Sequence, residues 1–114
     1  MSFSEFQIEV DNTRRSSTVL IPHGELDAYN SPRLAELLVR LLTDGCRQVV
    51  VDLRRVEFID SSGLGALVGG LKRFRSHHGH LSLVCQRPSI LKVFEITGLT
   101  SIFEIATSVD DAPA

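Results

Sequence analysis

The sequence predicts one α/β domain in which helices pack against a mixed β-sheet that opens with an antiparallel hairpin. Three observations predict this fold. Short apolar runs typical of strands alternate with segments whose leucines recur at helical spacing. The connections are short, and the order of elements is β-β-α-β-α-β-α-β. A chain of 114 residues can bury one core without disulfides or metals, so we expect residues 1–114 to form a single domain.

The first two elements are predicted strands. Apolar and polar residues alternate over residues 6–10, which indicates a half-buried strand, and residues 18–21 form a second apolar run after the polar turn at residues 11–17. Together they predict the hairpin. Residues 22–27 contain Pro22 and Gly24 and are predicted to end the second strand.

The first predicted helix begins at Ser31, as N-cap, with Pro32 in the first helical position. Gly45 is suited to end it in the left-handed conformation. Residues 49–53 then form a nearly continuous β-branched run, typical of a strand covered on both faces. The leucines that give the helix one apolar face are Leu34, Leu37, Leu38, Leu41 and Leu42.

Two helices and two strands complete the predicted order. The second helix follows Asp60 and ends near residues 77–79, and residues 81–85 form a strand. A third helix opens at Pro88 and ends before Gly98, residues 102–105 form a last strand, and the polar residues 108–114 are predicted to fray. The residues predicted to point inward from these helices are Leu64, Leu67, Val68, Leu71, Phe74, Leu91 and Phe94.

Composition excludes several classes of function. A formal net charge of −2 with dispersed basic pairs leaves no field to hold a polyanion, so no direct nucleic-acid partner is expected. Residues 1–5 lack the basic start of a signal peptide, and no apolar run approaches the length of a membrane span, so we expect a cytoplasmic protein without membrane insertion. Cys46 and Cys85 have no metal-binding spacing, and no metal or other cofactor is predicted.

Two hydroxyl residues at a predicted strand-to-helix junction mark the candidate site. Ser61 and Ser62 follow Asp60 at the start of the second helix, where free backbone N–H groups and the helix dipole favour an anion. A phosphate on Ser61 would add about 1.5 to 2 negative charges there and change the surface that a partner touches. The alternative is an ordinary N-cap cluster.

Glycines on the second predicted helix are the next signal, because each interior glycine costs about 1 kcal/mol relative to alanine. Ser62, Gly65 and Gly69 fall at i, i+3 and i+7 and form a stripe of small residues apart from the leucines. Such a stripe admits another backbone or a ligand. Alternatively, the glycines on this helix, with Gly63 and Gly70, ease packing against the protein's own sheet.

Two motifs together resemble the STAS-domain anti-sigma-factor antagonists. Residues 60–65, Asp-Ser-Ser-Gly-Leu-Gly, resemble the switch motif of that family, and residues 24–27, Gly-Glu-Leu-Asp, resemble its second motif. The spacing of the later strand, the third helix and Gly98 extends the resemblance over nearly the whole chain and implies a STAS-like fold. Family members usually carry a further C-terminal helix, for which this chain has only residues 108–114.

The resemblance implies a binding switch and not an enzyme. In that family an unphosphorylated antagonist binds an anti-sigma factor and so frees the sigma factor. The anti-sigma factor is often a serine kinase that phosphorylates the antagonist, and a PP2C-type phosphatase reverses the modification. By motif position Ser61 is the phosphoacceptor. The partner-binding residues that the resemblance implies are Glu25, Asp27, Asp60, Ser62, Gly63, Leu64, Gly65 and Gly69.

Other functions find less support in the sequence. A catalytic serine lacks both Gly-x-Ser-x-Gly and an evident third group, and the phosphate-binding P-loop pattern is absent. His77, His78 and His80 are candidates for a metal site, but cations at a helix end also complement its dipole. Another STAS role stays open: a scaffold that does not switch, or a cytosolic subunit of a lipid or anion transporter.

Overall fold

Six strands and three α-helices follow one another along residues 6–113, the part of the chain that the computed structural model describes. Residues 1–5, on which the expectation about a signal peptide depends, lie outside this part, as does Ala114. The elements are β1 (Gln7–Asp11), β2 (Thr18–Leu26), α1 (Ser31–Thr43), β3 (Gln48–Asp52), β4 (Val56–Ile59), α2 (Ser61–Ser76), β5 (His80–Val84), α3 (Pro88–Ile96), a 3-10 helix (Leu99–Ser101) and β6 (Ile105–Ala106).

The sheet is mixed, as predicted. β1 pairs antiparallel with β2, and the order β1-β2-β3-β5-β6 continues through parallel pairs. β4 pairs parallel with the second half of β2. Parallel neighbours need a crossover. The connection from β2 to β3 contains α1, that from β3 to β5 contains α2, and that from β5 to β6 contains α3. The predicted α/β class and the opening hairpin are therefore confirmed.

The helices bury their leucines against one face of the sheet. On α1, Leu34, Leu38 and Leu42 are buried, whereas Leu37 and Leu41 are half-buried at the flanks of the same face. Each fully buried aliphatic side chain contributes about 1.5–3 kcal/mol through removal of apolar area from water. The inward residues that α2 and α3 bury completely or nearly so are Leu64, Leu67, Leu71, Phe74, Ile90 and Phe94.

β2 is longer than predicted, and the expected break at residues 22–27 is wrong. β3 accompanies β2 as far as Leu20, and β4 joins it from Gly24 onwards, so Pro22 lies between the two pairings. Proline has no N–H group to donate. Pro22 lies between the stretch of β2 that pairs with β3 and the stretch that pairs with β4, so neither of these strands requires a hydrogen bond from it. Gly24 has a φ of +111° beside a register shift, which allows β2 to change neighbours.

β4 is a second strand between α1 and α2, where the predicted order of elements contains only one. Val56 and Ile59 are buried and the two residues between them are exposed, so the strand lacks the alternation by which half-buried strands are recognised. Its pairing with β2 brings the chain directly to the start of α2. The pairing of β4 with β2 therefore determines where Asp60, Ser61 and Ser62 lie.

Two further elements, α1 and the last strand, have boundaries that differ from the predictions. The N-cap of α1 is Asn30 and not Ser31, because the Ser31 N–H already donates to the Asp27 carbonyl at 2.8 Å in a helix-like pattern. Pro32 consequently takes the second helical position. The last strand is Ile105–Ala106, since residues 99–101 wind into the 3-10 helix and leave only two residues to pair with β5.

Residues 108–113 have contacts that a frayed tail would lack. Val109 and Ala112 pack against a small cluster formed by Val19, Val50 and Val84. These valines alternate along their strands with residues of the main core, so they point to the face of the sheet opposite the helices. Arg14 Nη2 also donates to Asp110 Oδ1 at 2.9 Å. The tail thus covers part of the second face where the sequence predicts a loose end.

Candidate functional site

Asp60 fixes the start of α2. Its backbone is extended, and its Oδ1 accepts hydrogen bonds from the N–H groups of Ser62 at 2.8 Å and Gly63 at 3.1 Å. Its own N–H donates to the Leu26 carbonyl at 3.2 Å, which ties the junction to the end of β2. The N-cap interpretation of this cluster is therefore confirmed, and the junction is held from both sides.

Ser61 is the first residue of α2 and is exposed. Within residues 6–113 its hydroxyl forms no hydrogen bond, so the oxygen is free to react or to contact a partner. Ser62 is half-buried, and its backbone N–H is engaged by Asp60. Of the two hydroxyl residues, Ser61 is therefore the more exposed.

Fewer N–H groups are free at the start of α2 than the sequence predicts. Two N–H groups at this helix start, those of Ser62 and Gly63, already bind the Asp60 carboxylate and are not free for a phosphate. A phosphate on Ser61 would stand beside a carboxylate, and unit charges 4 Å apart repel by about 1 kcal/mol even in bulk water. A phosphate on Ser61 would therefore find fewer free N–H donors at the helix start than the sequence predicts.

The Gly-Glu-Leu-Asp motif, which comprises the end of β2 and Asp27 after it, lies next to this junction. Glu25 and Leu26 pair in register with Phe58 and Ile59 of β4, directly before Asp60. The pairing brings together two motifs that are more than 30 residues apart in the chain. The sequence resemblance names both motifs, and the structure shows that they form one surface.

Asp27 holds the loop at residues 27–30 in a turn. Its Oδ1 accepts from the N–H groups of Tyr29 at 3.1 Å and Asn30 at 2.9 Å, and the Asn30 side chain donates to the Glu25 carbonyl at 3.0 Å. Aspartate favours such turns because its short side chain reaches the backbone two or three residues ahead. The loop is consequently as well anchored as the helix start beside it.

The α2 glycines lie in two different environments. A Cβ on Gly63 would lie 2.4 Å from the Leu26 carbonyl oxygen, and one on Gly70 would lie 2.6 Å from Leu38 Cδ1, so these two allow close packing within the protein. A Cβ on Gly65 or Gly69 would meet nothing within 4 Å. The packing interpretation is therefore confirmed for Gly63 and Gly70, whereas contact of Gly65 and Gly69 with a partner stays a prediction.

The predicted partner-binding residues accordingly divide by exposure. Gly63 and Leu64 are buried, so they shape the surface from beneath. Two exposed aromatic residues near Ser61 in the chain or in the fold, Tyr29 and Phe58, are not predicted from the sequence. The positions that remain at least partly open to a partner are Glu25, Asp27, Asp60, Ser61, Ser62, Gly65 and Gly69.

Two other features bear on the alternative functions. Within residues 6–113, no three or more histidine, cysteine and acidic side chains lie together as a metal site requires, and this includes His77, His78 and His80. No helix in the described part of the chain has the length and apolar character that crossing a bilayer requires.

Comparison with known proteins identifies the family. Residues 7–112 match the sequence profile of the STAS domain. The anti-sigma-B factor antagonist of Staphylococcus aureus (strain NCTC 8325 / PS 47) is 39% identical over 82 residues, which are 72% of this chain and 76% of that protein. The chain belongs to the STAS-domain family of anti-sigma-factor antagonists. The family resemblance of the two motifs is thereby confirmed.

Solved structures of STAS-domain antagonists share the fold. An anti-sigma factor antagonist from Mycobacterium paratuberculosis has a TM-score of 0.85 at 24% identity, over 94% of this chain and 90% of that one. The antagonist SpoIIAA in its unphosphorylated form has a TM-score of 0.73 at 20% identity, over 92% of both chains. The phosphorylated form of Bacillus SpoIIAA has a TM-score of 0.71 at 24% identity, over 91% of this chain and 95% of that one.

Proposed function

We propose that this STAS protein is a partner switch controlled at Ser61. The unphosphorylated protein binds an anti-sigma factor and so frees a sigma factor, and phosphorylation of Ser61 ends that binding. The observation that carries the proposal is the exposed Ser61 hydroxyl, unbonded within residues 6–113, on a helix start that Asp60 and the end of β2 hold in place. SpoIIAA, which shares the fold, is known in both phosphorylation states, and this supports the choice of mechanism.

The switch would act through charge and bulk at the surface. Phosphate adds about 1.5 to 2 negative charges, and because Asp60 already fills the nearest N–H donors, the added group projects toward the partner. A contact surface complementary to a serine hydroxyl would then meet a larger, charged group. Burying that charge without a counter-ion costs several kcal/mol, enough to release the partner.

The proposed partners follow from this role. The anti-sigma factor would itself be the serine kinase, and a PP2C-type phosphatase would restore the hydroxyl. The STAS protein would be a substrate and not an enzyme, act in the cytoplasm, need no cofactor and make no direct contact with nucleic acid. The proposed contact surface comprises Glu25, Asp27, Asp60, Ser62, Gly65 and Gly69, supported from below by Gly63 and Leu64.

A phosphorylation assay tests the proposal directly. The protein is incubated with ATP and a purified anti-sigma-factor kinase from the same genome, and fragmentation mass spectrometry locates the added phosphate. We expect phosphate on Ser61 in the wild type and in Ser62→Ala, which is the matched control, and none in Ser61→Ala. No phosphate on the wild type, with a kinase that is active on another substrate, would favour the scaffold or transporter-subunit role.

A binding assay tests the consequence of phosphorylation. Ser61→Ala should bind the anti-sigma factor as tightly as the unphosphorylated wild type, whereas Ser61→Asp should bind at least tenfold more weakly. Isothermal titration calorimetry with ADP in place of ATP measures both affinities without modification of the protein. Equal affinities of the two variants would contradict the switch.

A further inference from the structure

The aromatic residues of this protein divide sharply by exposure. Tyr29 is 90% exposed and Phe58 is 48% exposed. Both lie at the candidate site, since Tyr29 follows Asp27 by two residues and Phe58 precedes Ser61 by three. The other aromatic residues in the described part of the chain are buried, and they are Phe6, Phe74, Phe94 and Phe103.

Both exposed rings are carried by fixed backbone. The Tyr29 N–H donates to Asp27 Oδ1, and Phe58 lies in β4, in register with Glu25 of β2. An exposed aromatic side chain on a rigid backbone loses little conformational entropy when a partner covers it, and burial removes up to about 150–250 Å² of surface from water. Tyrosine is also among the residues that most often dominate binding energy at protein interfaces.

The two rings are close enough to Ser61 to share one interface with it. Three residues span at most about 11 Å, which limits the separation of Phe58 from Ser61. Tyr29 lies three residues after Leu26, whose carbonyl accepts the Asp60 N–H at 3.2 Å, so its α-carbon lies within roughly 20 Å of Ser61. A typical interface buries about 800 Å² per partner, a disc roughly 32 Å across, and can cover all three positions.

The charge around these rings is mainly negative, although Arg55 directly precedes β4 and Arg33 lies in the first turn of α1. Residues 24–30 and 56–71 contain Glu25, Asp27, Glu57 and Asp60, which are four of the chain's 14 carboxylates, and none of its 12 lysine and arginine side chains. A complementary partner surface therefore presents cations at its rim. Two apolar rings with carboxylates around them are complementary to an apolar recess on the partner with cations around it.

We propose that Tyr29 and Phe58 are the aromatic anchors through which this STAS protein binds its anti-sigma factor, on a partner surface that is an apolar recess with a basic rim. This inference depends on the proposed function and adds two residues outside both motifs that set affinity and partner choice. The motif residues then place the switch, whereas the rings supply the larger part of the contact energy.

Affinity measurements on three variants test this inference. The titrant is the anti-sigma-factor kinase that phosphorylates Ser61, with ADP bound. We expect Tyr29→Ala and Phe58→Ala each to weaken binding at least tenfold. Val10→Ala is the matched control, because Val10 is 46% exposed on a strand but pairs with Leu20, five residues of β2 (roughly 17 Å) from Glu25 beside Phe58. It should change the affinity less than twofold.

Thermal melting separates lost contacts from lost structure. Tyr29 lies in a loop and is almost fully exposed, so Tyr29→Ala should melt at the wild-type temperature. If Phe58→Ala proves less stable than the wild type, the affinity of Tyr29→Ala alone decides the test. The affinity of the wild type should also fall as NaCl is raised from 50 to 300 mM, since added salt screens the acidic border from the basic rim.

The outcomes distinguish this inference from the proposed function. If the wild type binds the kinase and is phosphorylated on Ser61, and Tyr29→Ala binds the kinase with the same affinity, the aromatic anchors are wrong. The proposed switch at Ser61 is not affected by that result. An affinity that does not change with salt overturns the basic rim. A wild type that neither binds the kinase nor is phosphorylated by it refutes both proposals together.

Discussion

Substitution of Gly63 by alanine should destabilise the fold, although alanine is the better helix former. The added Cβ would lie 2.4 Å from the Leu26 carbonyl oxygen and 2.8 Å from Ile59 Cγ1, both closer than real Cβ atoms approach. The oxygen belongs to the backbone of β2 and accepts the Asp60 N–H, so it cannot move aside without loosening that junction. The whole start of α2 would have to shift instead.

The size of the effect follows from two opposing terms. Alanine in place of glycine stabilises a helix by up to about 1 kcal/mol, and overpacking a tight site costs about 1–3 kcal/mol. Because the nearest atom is backbone, we place the cost near the upper limit and expect a net loss of about 2 kcal/mol. For a domain of this size, that loss lowers the melting temperature by roughly 8 °C.

Calorimetry and urea denaturation measure this loss, and the same helix supplies two controls. Gly70→Ala should lose less, because its Cβ would meet the movable Cδ1 of Leu38. Gly65→Ala should keep or slightly raise the stability, because its Cβ would meet open space. If Gly63→Ala were as stable as Gly65→Ala, the close approach of α2 to β2 and the division of the glycines into two pairs would both be wrong.

Three further predictions test other parts of the structure. Asp60→Ala should lower the unfolding free energy by about 1 kcal/mol through loss of the N-cap, whereas Asp60→Asn keeps an acceptor and should lose little in urea denaturation. Val109→Asp should cost about 1–3 kcal/mol by setting a charge against the second-face valines, and an unchanged urea midpoint would show that residues 108–113 leave that face open. Burial raises the pKa of the Cys85 thiol above its ordinary value of 9.0. Between pH 9.0 and the raised pKa, the folded protein therefore keeps the thiol proton that the unfolded chain has lost. The stability from this group is complete below pH 9.0 and is lost as the pH rises through the raised pKa, and a thiol reagent at pH 8 should label the half-buried Cys46 well before Cys85.

Local sequence by itself determined the helices, the class of fold and the resemblance to the family. The leucines of α1 recur at helical spacing, and three of them form the buried stripe that this spacing predicts. Asp60 before Ser61 and Ser62 predicts an N-cap, and its carboxylate caps α2 as expected. Such features depend on residues within one or two turns of each other, so a single sequence contains all the information that they need.

Tertiary structure alone decided which segments meet. Gly63 and Gly65 are two residues apart in one helix, yet one is packed against β2 and the other faces open space, and no local pattern distinguishes them. The strand β4 exists because β2 offers it an edge beyond Gly24, and residues 108–113 are held by valines from three different strands. Tyr29 and Phe58 likewise became candidates only when pairing of β2 with β4 placed them at the same edge as Ser61. Contacts between distant segments depend on the complete packing of the chain, and therefore the surface around the switch follows from the fold while the switch motif itself is local.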